Sequence, residues 1–121
     1  MHKFDLKNKV AIITGGAQGF GLDIAKRFIN CGAKVFIWDV DEKELLNAKK
    51  ELDNPNLLTN LVDVSNYKNV KETVNKIIES SNIDILINNA GITGSTSSLW
   101  DYNVDEWNKI VQINLMGTFN C

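Results

Sequence analysis

Four short apolar runs alternate with helical patterns along this chain, and the alternation limits the folds that it can adopt. Each run has strand length, is rich in Val and Ile, and is typical of a buried strand. The predicted strands are Lys9–Thr14, Lys34–Asp39, Leu57–Val64 and Asp84–Asn89, each followed by a helical segment. A β-α-β-α-β-α-β-α order favours a parallel sheet with right-handed crossovers and helices on both faces. We therefore predict a doubly wound α/β fold, with residues 1–121 in a single domain.

Polar capping residues mark the helix starts. Asp41 precedes the second helix with Glu44 three positions later, and Asn103 precedes the last helix with Glu106 in the same relation. Both pairs have capping-box spacing, in which the first side chain accepts from the backbone N–H of the third helical residue. We expect one helix from Asn103 to the chain end, with the apolar stripe Trp107, Ile110, Val111, Leu115 and Thr118.

The segment TGGAQGFG, residues 14–21, places glycines where the first strand meets the first helix. Glycine costs backbone entropy, so a cluster needs a reason: a turn, a close approach between elements, or a ligand against the backbone. A strand–turn–helix junction offers free backbone N–H groups to an anion. Gly15 would permit the turn, Gly19 the approach of a pyrophosphate, and Gly21 close packing of helix on strand. Taken alone, the glycines fit a plain turn as well as a dinucleotide site.

Asp39 favours the dinucleotide interpretation. It ends the second strand about 24 residues after Gly15, the interval expected of a ribose-binding acid. Its carboxylate can accept from both hydroxyls of an adenosine ribose and would repel a 2′-phosphate, while Val40 and Asp41 supply no cation. NAD is therefore expected rather than NADP. A P-loop is excluded because no Gly-Lys-Ser/Thr follows the glycines. A methyltransferase could share the fold and the acid, but its glycines would be more tightly spaced.

Charge and composition exclude several partner classes. The net charge of −2 predicts no basic surface for nucleic acid or an anionic membrane. No apolar run is long enough to span a bilayer, and the start MHKFDLKNKV lacks a signal-peptide core, so a cytoplasmic location is expected. Cys31 and Cys121 fit no metal or redox spacing, so no metal site is expected. We assign no role to His2.

TGGAQGFG, together with NNAG at Asn88–Gly91, resembles the short-chain dehydrogenase/reductase family. That family's fingerprint is Thr-Gly-x-x-x-Gly-x-Gly with Asn-Asn-Ala-Gly at the fourth strand. Asp63–Val64 matches its adenine contact, and Ile113–Leu115 matches the helix that carries a catalytic asparagine, whereas Phe20 departs from the usual aliphatic residue. The resemblance covers nearly the whole chain. It implies a Rossmann-type sheet with strand order 3-2-1-4, and hydride transfer between a nicotinamide and a carbonyl or alcohol substrate. The chain looks most like the branch with 3-oxoacyl-carrier-protein reductases and sugar dehydrogenases.

The resemblance also implies roles for individual residues. Asn88 would tie neighbouring strands together. The cofactor-binding set would comprise the pyrophosphate contacts Gly15, Gln18, Gly19, Phe20 and Gly21, the ribose acid Asp39 with Val40 beside it, the adenine contacts Asp63 and Val64, and Asn89, Ala90 and Gly91 along the nicotinamide-side ribose.

Asn114 is the catalytic residue that the resemblance places within this chain. It lies four residues after Ile110 and three after Val111, so helical spacing puts it in the apolar stripe and predicts its burial. A buried amide needs hydrogen-bond partners. Two interpretations stay open: a core amide bonded to nearby backbone, or the family's asparagine, which holds a water in a proton relay to the active-site lysine.

The other catalytic residues that the resemblance implies, a serine and a Tyr-x-x-x-Lys pair, are expected beyond Cys121. The sequence is therefore interpreted as the N-terminal, cofactor-binding part of a domain. Tyr67 and Lys71 have the tyrosine–lysine spacing, but they follow the third strand, which is expected at the sheet edge. Tyr67 also falls in a predicted apolar stripe with Val70 and Val74. The alternative is a catalytically inactive dinucleotide-binding fragment or a partner subunit.

The resemblance implies a homo-oligomer for the full-length protein, built partly on the last helix. In the isolated chain we expect Trp107 and Phe119 to be exposed, and the strand Asp84–Asn89 to form a bare apolar edge. The loop after that strand carries Trp100 and Tyr102, which could face a substrate or pack against the last helix. The substrate is not predicted beyond a small carbonyl or alcohol compound.

Overall fold

The computed structural model describes residues 4–121, so His2 lies outside the described residues. The strands are β1 (Val10–Thr14), β2 (Lys34–Asp39), β3 (Leu57–Leu61) and β4 (Ile85–Ile87). The helices between them are α1 (Gly19–Asn30), α2 (Glu42–Leu52) and α3 (Tyr67–Ile78). After β4 come a short 3₁₀ turn (Leu99–Asp101) and a last helix made of α4 (Val104–Val111), a π-helical segment (Gln112–Met116) and α5 (Gly117–Asn120).

In the described part of the chain, the strands form one parallel sheet in the order β3-β2-β1-β4. This confirms the predicted doubly wound fold and its 3-2-1-4 order. Because all strands run the same way, their carboxyl ends meet along one edge of the sheet, where folds of this kind bind ligands. β4 pairs with β1, and residues 4–121 supply no strand for its other side.

Apolar side chains cover both faces of the sheet, as the helices on each side require. Alternation along β1 turns Ala11 and Ile13 to one face and Val10 and Ile12 to the other. The first face packs against buried residues of α1 and α2, and the second against α3 and the last helix. No helix within residues 4–121 has the length and apolar character that a membrane span requires.

The capping predictions are confirmed. α1 differs from the capped helices because no side chain caps its N-terminus. Asp41 accepts from the N–H of Glu44 at 3.1 Å, and Asn103 accepts from the N–H of Glu106 at 2.9 Å. α3 is capped in the same way by Asn66. At α1 the N-cap residue is Gln18, whose side chain makes no capping hydrogen bond. The first-turn N–H groups of α1 therefore stay available to a ligand.

Three strands are shorter than predicted. β1 begins at Val10 rather than Lys9. β3 ends at Leu61 rather than Val64, and the Asp63 carboxylate accepts from the N–H and hydroxyl of Ser65 where the chain turns. β4 lacks Asp84 at its start and Asn88 and Asn89 at its end. The Asp84 carboxylate accepts from the N–H of Val10, so a side chain replaces a ladder bond there.

The predictions of apolar stripes along the helices are partly wrong. Tyr67 opens α3 and is 57% exposed, so it does not belong to the apolar stripe with Val70. The last helix is interrupted by the π-helical segment, which the sequence did not predict. Trp107 and Phe119 are exposed, as expected.

β1 and β4 are fastened at their carboxyl ends by Thr14 and Asn89. The Thr14 hydroxyl, in a side chain that is 1% exposed, accepts from the N–H groups of Asn89 at 3.1 Å and Ala90 at 2.9 Å. The Asn89 amide donates to the carbonyls of Thr14 at 3.1 Å and Gly15 at 3.0 Å. The tie between strands that was expected of Asn88 is thus made by Asn89.

We expect Thr14→Val to lower the free energy of unfolding by about 2 kcal/mol. Valine keeps the shape, but it leaves the Ala90 N–H without its partner and removes one of the two acceptors of the Asn89 N–H. Thr14→Ser keeps the hydroxyl and should cost about 1 kcal/mol, mainly for the lost methyl group. Urea denaturation measures both losses. Equal losses for the two variants would contradict the role of the hydroxyl.

Candidate functional site

A cavity of about 380 Å³ lies at the carboxyl ends of the strands. Its walls come from the glycine turn after β1, the ends of β2 and β3, the segment after β4, and the last helix. The residues that line it are Gly15, Gln18, Trp38, Asp39, Val40, Asp41, Val62, Asp63, Val64, Asn89, Ala90, Gly91, Ile92 and Ile113. Most of the predicted cofactor-binding residues are thereby brought together, whereas Gly19, Phe20, Gly21 and Asn114 are not part of the lining.

Two of the three predicted glycines are required by close contacts. Gly15 has φ of +61°, and a Cβ there would lie 2.9 Å from the Ala90 Cα. A Cβ on Gly21 would lie 2.3 Å from the Gly15 carbonyl oxygen, so α1 packs against the turn more closely than any side chain allows. Gly16 was missed by the sequence analysis. A Cβ there would lie 2.7 Å from the Cβ of Ile37.

Gly19 is different, because the space beside it is open. Its φ of +59° favours glycine, yet a Cβ there would meet no atom within 4 Å. The open side lies at the uncapped N-terminus of α1, where backbone N–H groups attract anions. Phe20 projects into solvent and is 84% exposed, so its side chain takes no part in this wall.

The Asp39 carboxylate joins the end of β2 to the glycine turn. One oxygen accepts from the N–H of Ala17 at 3.2 Å and the other from the N–H of Asp41 at 3.1 Å. An ionised carboxylate can accept about four hydrogen bonds, so each oxygen keeps capacity for a further donor. Asp39 therefore holds the turn and still offers acceptors to the cavity.

The far wall beyond Asp39 is built by the turn after β3. Val64 is buried, and its carbonyl accepts from the side-chain amide of Asn120 at 2.8 Å, which links this wall to the last helix. Asp63 and Val40 are both exposed and both line the cavity. The sequence analysis missed other lining residues, although the positions of Trp38, Asp41, Val62 and Ile92 at strand ends could have suggested them. Ile113 comes from the last helix and could be found only in three dimensions.

The structure places Asn114 in the π-helical segment, and the predicted burial is wrong because the side chain is exposed. Its carbonyl oxygen accepts from the N–H of Ile92 at 2.8 Å, and its amide donates to the carbonyl of Ile92 at 2.8 Å. Of the two open interpretations, bonding to nearby backbone is observed. Since each end of an amide can make two hydrogen bonds, the side chain keeps capacity for a water or a ligand.

The two loop aromatics behave differently. Tyr102 packs edge-to-face on Trp107, with 5.7 Å between the ring centroids, so it contacts the last helix. Trp100 is 86% exposed.

Residues 4–121 hold no group of three or more His, Cys, Asp or Glu side chains able to bind a metal. Cys31 and Cys121 are unpaired, and burial raises the pKa of the Cys121 thiol.

Comparison with known proteins places these features in a family. The family model described as short chain dehydrogenase matches residues 9–121. A 3alpha-hydroxysteroid dehydrogenase from Mediterraneibacter gnavus is 38% identical over 96% of this chain and 48% of its own length. A 2-dehydro-3-deoxy-L-rhamnonate dehydrogenase (NAD(+)) from a Sphingomonas strain is 36% identical over 93% of this chain and 45% of its own length.

A solved structure agrees with the sequence relatives. The crystal structure of a 3-ketoacyl-(acyl-carrier-protein) reductase from Brucella melitensis, complexed with NADH, has a TM-score of 0.89 and is 34% identical. The match covers 96% of this chain and 48% of that chain. The chain thus spans about half the length of the relatives that it matches. Matching sequence, strand order and glycine turn lead to one conclusion: the chain belongs to the short-chain dehydrogenase family.

Proposed function

We propose that this chain is the nicotinamide-dinucleotide-binding part of an oxidoreductase that acts on a small carbonyl or alcohol compound, and that it uses NAD rather than NADP. One observation carries the proposal: Asp39 and Gln18, the N-cap residue at the uncapped start of α1, line the same cavity. When bound, such a cofactor supplies or takes up a hydride. The role of these residues is to bind and orient it.

The glycine turn fits a pyrophosphate. The open space beside Gly19 lets an anion approach the backbone, and the first-turn N–H groups of α1 supply donors that no side chain uses. A plain turn would leave these N–H groups to water. By contrast, a side chain caps each of α2, α3 and α4 by accepting a hydrogen bond from a first-turn N–H group.

The charges of the cavity support NAD over NADP. Asp39, Asp41 and Asp63 line it, and none of the described lining residues is Lys or Arg. A ribose with free hydroxyls can donate to the Asp39 carboxylate. A 2′-phosphate would instead face carboxylates with no cation to offset the repulsion.

The segment Asn89–Ile92 would take the nicotinamide-side ribose. The side-chain amide of Asn89 donates to the carbonyls of Thr14 and Gly15, and both Asn89 and Gly91 line the cavity. We expect their backbone groups to contact the ribose. Asn114 fixes the Ile92 backbone and retains hydrogen-bonding capacity, which supports its proposed place in a proton relay.

The alternative is a chain that binds the dinucleotide without catalysis. Tyr67 and Lys71 lie on α3, and neither side chain lines the cavity. We propose that the serine, tyrosine and lysine of the reaction lie outside these 121 residues. Turnover of substrate in the presence of NADH separates the two functions, and binding alone supports both.

Cofactor preference tests the proposal through Asp39→Asn. We expect the chain to bind NADH more tightly than NADPH, and the variant to lose about tenfold in NADH affinity while its NADPH affinity is unchanged or improved. The amide removes the charge and one ribose acceptor. Calorimetric titration measures all four affinities, and Asp23→Asn, an exposed change on α1, is the control. Equal affinity of the original chain for both cofactors would contradict the preference.

The pyrophosphate assignment is tested by Gly19→Ala. We expect NADH affinity to fall at least about tenfold, because a methyl group would occupy the space that the anion needs. The positive φ should cost only about 1 kcal/mol of stability. Fluorescence titration and thermal unfolding measure the two effects separately. Unchanged NADH affinity would contradict the assignment of the pyrophosphate to the space beside Gly19.

Tyr67→Phe tests the exclusion of the α3 pair. In a form of the protein that turns over substrate, we expect kcat to change less than about twofold, since a hydroxyl outside the cavity cannot transfer the proton, a step worth at least about a hundredfold. Steady-state kinetics measures this. Complete loss of turnover with folding preserved would move the active site to α3.

A further inference from the structure

The segment after β4, residues 91–98, has neither helix nor strand structure of its own. Gly91 and Ile92 at its start form a wall of the cavity. A segment without regular structure takes its position from its neighbours, and here the neighbour is the last helix. The shape of that wall therefore depends on how the helix holds the segment.

Three helix residues hold it, and they are spaced four apart on one face: Glu106, Ile110 and Asn114. Asn114 is bonded to both backbone groups of Ile92. Ile110 packs against Gly94, together with the Tyr102 hydroxyl, so closely that a Cβ there would collide with both.

Glu106 makes the outermost of these contacts. One carboxylate oxygen accepts from the N–H of Ser95 at 2.7 Å and from its hydroxyl at 2.8 Å, and the other oxygen lies 3.0 Å from the same hydroxyl. Capping-box spacing predicts that this glutamate turns back to the N-cap residue. It is directed to the segment instead. Hydrogen bonds to an ionised carboxylate are stronger than neutral ones, so this contact can restrain an exposed loop.

On the basis of the proposed function, we propose that Glu106 is a positioning residue for the nicotinamide side of the cavity. It holds Ser95, and with Asn114 it fixes the backbone between Ser95 and Ile92 at the cavity wall. Without it, the segment samples more conformations, and binding must select the one in which the wall is in place. The adenosine side, built by Asp39 and Asp63 on other strands, is not restrained by Glu106.

The test compares Glu106→Ala with Glu44→Ala. Glu44 occupies the same position in α2, with its N–H bonded to the N-cap Asp41, and no hydrogen bond of its side chain is found among the described residues. Hydrogen exchange at the amides of Ser95 and Ile92 measures the restraint. Titrations with NADH and with ADP, which lacks both the nicotinamide and its ribose, separate the nicotinamide side of the site from the adenosine side.

We expect Glu106→Ala to speed exchange at both amides and to weaken NADH binding about fivefold, with less than about twofold change for ADP. Glu106→Gln, which keeps one acceptor oxygen, should be intermediate. Ser95→Ala, which removes only the hydroxyl and should fold if Glu106→Ala does not, should shift NADH affinity in the same direction by less. In the double variant the two losses should not add. Glu44→Ala should match the original chain in all three measurements.

Unchanged exchange and NADH affinity in Glu106→Ala would overturn the inference, and so would equal weakening of NADH and ADP. If the original chain binds neither compound, the proposed function fails instead. The exchange rates at Ser95 and Ile92 would still show whether Glu106 restrains the segment.

Discussion

The fastening of β1 to β4 at their carboxyl ends is the interaction on which the rest of the site depends. Thr14 is buried there, and its side chain and that of Asn89 form hydrogen bonds with backbone groups at the point where the two strands end and the chain segments diverge. Because these groups are fixed, the glycine turn can leave β1 sharply while the segment after β4 lies against it. The cavity opens between these two segments, and the ends of β2 and β3 and the last helix complete its walls.

The sequence alone was sufficient for the order of the elements and for the caps. Periodicity and capping side chains are local signals, so the alternation of strands and helices and the caps Asp41 and Asn103 could be predicted correctly. Glycine requirements were only partly predictable. Gly15 and Gly21 follow a known spacing, whereas Gly16 is required by Ile37 on a neighbouring strand, a contact that no local pattern reveals.

Helical periodicity placed Asn114 on the same face as Ile110, but it could not predict what covers that face. Both residues contact the irregular segment 91–98, so Asn114 stays exposed. Asn114 meets the backbone of Ile92 instead of the core. The prediction that Tyr67 belongs to an apolar stripe was wrong for another reason. Tyr67 is the first residue of α3, so no preceding helical turn packs it against the sheet. The roles assigned to site residues by resemblance stay predictions.

The two bonds that Asp39 makes to backbone have a consequence for how cofactor preference can evolve in this chain. Its carboxylate accepts from Ala17 in the glycine turn as well as from Asp41. A substitution that removes both carboxylate oxygens to admit a 2′-phosphate would also release the turn that receives the pyrophosphate. A successful change of preference therefore needs a replacement residue that both accepts from Ala17 and tolerates the phosphate, or a second substitution that restores the lost bond. Apolar and basic side chains have no acceptor to offer Ala17, so each of them needs the second substitution.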